Sequence, residues 1–295
     1  MKSKSKVWLG IGVFVVAGSG AVGAGAPLVL ETAAVRGLQT RSATDTAIPR
    51  AAGVVVAQHA DHAKADPAKA GGEGGESKGI ANLPPELAFG VKIALLRGHL
   101  LVGDELVKQQ QWNAALPHFL HPSEEIYDDI RGELADYKVP PFDTALKALA
   151  DMVKSKKGGN GYDRALKAVT DALAAADTGM KEKQADRPGF VTEAAIESIK
   201  AAASEYENAI IGGRIAKPVE YQDARGFVWQ GERMIEAVAP ALQKKDAAAL
   251  KGVRAGLAEL KRVFPAAVPP RMPVKDHAAM LAIVSRIELA AGKLM

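Results

Sequence analysis

The sequence predicts an all-α protein, two tandem four-helix up-down units behind a flexible N-terminal tether. Three observations carry that expectation. Alanine is abundant and aromatic residues make up only 5% of the chain, which suits closely packed helices better than a β-sandwich. From Pro84 onward, apolar residues recur at steps of three and four, the spacing of one helix face. A hexapeptide pattern, Y-x-D-x-R-G, also occurs twice, as Tyr127–Gly132 and Tyr221–Gly226. Each copy follows a proline and a glutamate (Pro122 and Glu125; Pro218 and Glu220), so the pattern reads as an internal duplication of a helical unit.

In chain order, residues 1–30 come first. MKSKSK is a positive leader, Val7–Val16 an apolar run, and Ala17–Ala26 a small-residue segment with Val22 and Ala24 placed as at a cleavage site. This is the layout of a secretory signal. The apolar stretch to Leu30 also approaches the ~20 residues that span a bilayer, so an uncleaved N-terminal anchor is the competing reading. Either one puts the remainder outside the cytoplasm, in the periplasm or cell envelope. Residues 31–83 keep no period and include QHADHAKADPAKAGGEGGESKG. Such a composition buries too little apolar surface to offset chain entropy and reads as a linker. His59 and His62 lie in it.

The first unit spans 84–180. Leu87, Val91, Leu95, His99, Val102 and Leu106 share one helix face. A second helix is expected from Trp112, interrupted by Pro117 and Pro122, with Pro122 opening a fresh helix that has Glu124 and Glu125 in its first turn. Helices over Thr144–Val153 and Tyr162–Ala176 follow. The second unit, 188–295, opens with a helix over Phe190–Ile211, turns at GGRIAKP, and resumes helically at Val219.

Composition also excludes. Lys and Arg total 38 against 34 Asp and Glu, a net charge of +4; without Lys2, Lys4 and Lys6 the balance is 35 to 34. No basic face is left over for a nucleic acid. The chain has no cysteine, which removes disulfides, zinc–thiolate sites, iron–sulfur clusters and thiol nucleophiles. No GxSxG, HExxH or phosphate-binding glycine loop is present, so no enzyme is expected.

The stretch Gly98–Gly132 holds three of the six histidines: His99, His118 and His121. His99 is on the apolar stripe, His121 and Glu125 are one turn apart, and His118 lies just before Pro122. Imidazoles and a carboxylate converging between helices suit a transition-metal ion such as iron, copper or zinc. The predicted ligands are therefore His99, His118, His121 and Glu125. A competing use of His99 is as a core residue hydrogen-bonded to a carbonyl or carboxylate. Asp and Arg two apart on a helix do not face each other, so the Y-x-D-x-R-G residues should each reach a neighbouring helix and hold the bundle together. Glu205, Glu207, Glu220, Asp223 and Glu232 make the second unit carboxylate-rich, but only His277 accompanies them there.

An exported chain, a helical duplication and a Gly98–His99 pair in the first helix resemble the imelysin-like proteins, periplasmic two-bundle proteins linked to iron uptake. The resemblance covers residues 84–295 in architecture and implies periplasmic metal handling. Its motif differs: the family has GxHxxE, whereas here Gly98 and His99 are adjacent and the acids that follow are Asp104 and Glu105. The function expected is an exported bundle that binds a transition metal, touching the membrane only through its N-terminus. The alternative is a non-catalytic scaffold for another envelope protein.

Overall fold

The computed structural model describes residues 79–295, which belong to one compact unit. The expected signal or anchor at 1–30, the linker up to residue 78, and His59 and His62 lie outside the described residues.

Helix α1 (Pro85–Lys108) begins where Pro85 sits in the first turn and needs no partner for its missing N–H. Glu86 near its start and Lys108 at its end complement the helix dipole. The expected stripe is buried, and so are Phe89, Ile93, Leu96 and Leu100 on other faces. A helix apolar nearly all round belongs in the interior. Burying each such large side chain contributes about 2 kcal/mol.

The chain then turns through Gln110, at φ 58°, into a broken segment. Short α-helical pieces Trp112–Ala115, Pro117–His121 and Tyr127–Ile130 flank a π-helical turn at Pro122–Ile126. The two prolines explain the breaks, because each removes a helical hydrogen bond. Helix α2 (Asp143–Lys154) buries Leu146, Leu149, Ala150 and Val153 and packs on α3 (Asn160–Lys183).

Helix α4 (Arg187–Ala209) is capped by Asp186, whose side chain accepts from the Gly189 N–H at 3.1 Å. A two-stranded hairpin, Ile210–Ile211 paired with Arg214–Ile215, joins it to α5 (Pro218–Lys245). Gly212 and Gly213 have φ 58° and 72°, the left-handed backbone a two-residue hairpin turn requires. Helix α6 (Ala247–Lys261) and helix α7 (His277–Ala291) are capped by Asp246 and Asp276.

Helices α4 to α7 form a four-helix bundle: α4 lies along α5, α6 packs on α5 and α7, and α7 returns to α4. Among the described residues the protein is all-α apart from the small hairpin, as expected. Helix α1 packs along both α5 and α4, so the residues assigned to the two units share one core. None of the described helices is long and apolar enough to cross a membrane.

The crossing of α1 and α5 positions the site. A Cβ on Gly226 would overlap the Gly98 carbonyl oxygen, and one on Gly98 would overlap the Phe227 ring. The two backbones meet over paired glycines, close enough for a side chain as short as aspartate to bridge them.

Candidate metal centre

Beside that crossing, His99, next to Gly98 on α1, faces Asp223, one turn before Gly226 on α5, with Nδ1 2.7 Å from Oδ1. The broken segment closes the other side. There the Nδ1 of His118 is also 2.7 Å from the same Asp223 oxygen. The Nε2 of His118 is 2.9 Å from Gln222 Oε1. Gln222 cannot be turned over freely, because its Nε2 donates to the Ala267 carbonyl at 3.2 Å. Its oxygen therefore faces His118 and accepts from Nε2–H.

His99, His118, Gln222 and Asp223 are each at most 3% exposed. His121 is half-buried at the rim, its ring 5.7 Å from that of His99 and nearly perpendicular to it. Phe227 seals the floor with its ring 5.1 Å from that of His99, edge to face. One ligand atom each from His99, His121 and Asp223 lie within 4.8 Å of one another. Ligands around a metal at about 2.1 Å are roughly 3–3.5 Å apart, so small rotations of these side chains would close the set.

The electrostatics suit a cation. Burial alone would raise the Asp223 carboxyl, but the imidazoles of His99 and His118 outweigh it and hold the group well below the usual carboxylate range. Asp223 is thus a fixed anion in the core. For His121, burial first and then the neighbouring His99 lower the value from 6.5 to about 4, with Asp223 offsetting part of the shift. A neutral imidazole at the rim has a lone pair available to a cation at neutral pH. Two imidazoles and a carboxylate are a donor set for iron, zinc or copper.

Of the predicted ligands, the structure brings His99 and His121 together, with Asp223 as the third member. His118 touches Asp223 but lies outside the converging triad, and its second nitrogen is held by Gln222. Glu125 is a correction. It is exposed and lines a depression with Glu124, Asp128 and Asp129; partial desolvation, and then Asp129, raise its carboxyl. The π-helical turn explains the change. Its backbone bonds five residues apart instead of four, so α-helical spacing from His121 does not hold for Glu125. The carboxylate comes instead from Asp223, more than a hundred residues along the chain. The signal for it was the Y-x-D-x-R-G aspartate, which had to find a partner on another helix.

Around this geometry, the family model of the iron permease-associated four-helix bundle domain matches residues 181–295. That region holds α4 to α7 and Asp223, but neither α1 nor the three histidines, and it is under half of the chain. The matched family is not that of the imelysin-like proteins. No curated protein and no solved structure gives a significant match.

Proposed function

We propose that this protein is an exported, non-catalytic helical bundle that binds iron in the cell envelope and works beside a membrane iron permease. The convergence of His99, His121 and Asp223 from three separate segments carries the reading. A buried carboxylate with imidazoles at 2.7 Å is an anion already desolvated and oriented; an incoming cation replaces protons in those contacts. The donor set alone fits several metals. The matched domain favours iron, and the imelysin-like resemblance points the same way. Export rests on the layout of residues 1–30.

The competing reading is a scaffold in which Asp223 simply ties His99 and His118 into the core. A metal titration separates the two. The full chain should bind about one ferrous ion at neutral pH, with affinity falling on acidification as protons compete for the imidazoles. His121→Ala, at the rim, should remove that binding and leave the bundle folded. If neither ferrous iron nor zinc binds stoichiometrically, the protein is a scaffold.

A further inference from the structure

A second feature lies further toward the N-terminal end of α1. Here α1, the end of α3, the first turns of α4 and the C-terminal half of α5 enclose a half-open depression of about 360 Å³. That volume is in the range of small-molecule sites, and none of its residues belongs to the metal centre.

Three guanidinium groups line it: Arg97, Arg187 and Arg233. Arg97 is already committed. It makes two hydrogen bonds to the Asp177 carboxylate, at 2.9 and 2.8 Å, and one to the Leu173 carbonyl at 2.8 Å. This neutralises the only carboxylate in the lining. Arg187 gives one donor to the Asp177 carbonyl at 3.3 Å and keeps the others. Arg233 has no ion pair or hydrogen bond among the described residues.

Gln230 is the second observation. Its side chain lines the depression and is only 5% exposed, yet no group among the described residues hydrogen-bonds its amide. The amide sits one helical turn from Arg233 on α5, with its hydrogen-bonding groups free to meet a ligand. The remaining wall is apolar, with Met180, Phe190 and Met234 prominent. Phe190 reaches over α1 at Gly90, where a Cβ would lie 2.9 Å from its ring.

We propose that this depression binds a small organic anion, a carboxylate carried on a compact apolar body. The carboxylate oxygens take the free donors of Arg233 and Arg187, whose planar forks match them. The Gln230 amide supplies a third donor, and the body rests on Phe190 and the two methionines. Inorganic anions satisfy the donors but leave the apolar wall uncovered.

The test uses the full chain, stripped of metal, titrated with 3-phenylpropionate and hexanoate at low ionic strength, with inorganic phosphate alongside. Saturable one-to-one binding of a carboxylate is expected, stronger than that of phosphate. Arg233→Gln and Gln230→Leu should each weaken it by about tenfold or more and leave ferrous iron binding unchanged. No saturable binding at millimolar concentrations, equal binding of phosphate, or indifference to both substitutions would overturn the proposal.

Discussion

The same six-residue pattern sits in two places and does two different things. In α5, Tyr221-Gln222-Asp223-Ala224-Arg225-Gly226 is buried throughout. Asp223 meets two histidines, and Arg225 grips Glu105 of α1 with two hydrogen bonds, at 3.1 and 2.9 Å. Arg225 also donates to the Phe264 carbonyl at 2.6 Å and lies 3.9 Å over the Trp229 ring. Near the broken segment, Tyr127-Asp128-Asp129-Ile130-Arg131-Gly132 exposes both aspartates, the arginine and the glycine. Asp129 sits 3.9 Å from Lys92, and Arg131 pairs with Asp128 on its own turn at 3.2 Å. Only the tyrosines behave alike, each tying its hydroxyl to a distant main-chain group: Tyr127 accepts from the Phe142 N–H, and Tyr221 donates to the Ala266 carbonyl. A short motif sets which groups are offered, and the neighbouring helices decide what they do.

The contrast can be broken most sharply at the aspartates. Asp223→Ala removes the anion that two buried imidazoles face, and should cost roughly 3–5 kcal/mol while abolishing metal binding. Asp129→Ala should cost no more than about 0.5 kcal/mol. Urea unfolding in metal-free buffer and a ferrous iron titration read both, and equal costs would end the comparison.

The glycines come next. Gly226→Ala drives a methyl group into the α1 backbone at Gly98 and should destabilise by about 3 kcal/mol. A Cβ on Gly132 meets nothing within 4 Å, so Gly132→Ala should be nearly silent in the same assay.

Acidification tests the surroundings of the buried copy. Burial first, and then the neighbouring His99, push the His121 imidazole from its ordinary 6.5 down to about 4. Below 6.5 the unfolded chain takes up a proton that the folded chain refuses until about 4. Stability of the metal-free protein should therefore fall as pH drops through that window, by up to about 3 kcal/mol. His121→Gln should flatten the slope; an unchanged slope would mean that the cluster does not control acid stability.

The smallest effect is expected at the arginines. Arg225→Lys gives up the two-pronged bond to Glu105 and the flat contact on Trp229, for about 1–2 kcal/mol. Arg131→Lys, on an exposed pair, should be within about 0.5 kcal/mol.

Much of the fold was legible because it follows from local rules. The α1 stripe from Leu87 to Leu106 is buried as its spacing predicts, and Pro117 and Pro122 break the chain where they stand. The three histidines were legible as a group because the chain turns back after α1 and returns His118 and His121 beside His99. Glu125 was misassigned because α-helical spacing was applied across Pro122–Ile126, which is π-helical. Asp223 was read as scaffold because sequence separation hides a contact made only when α5 crosses α1.

The sequence by itself thus determined the helical class, the main helical stretches and the imidazoles on offer, all matters of period and of backbone hydrogen bonding within a few residues. Only the tertiary structure decided which carboxylate joins them and which copy of the motif is buried. Both depend on the close approach of Gly98 and Gly226, where two helices far apart in the chain lack the side chains that would hold them at a distance.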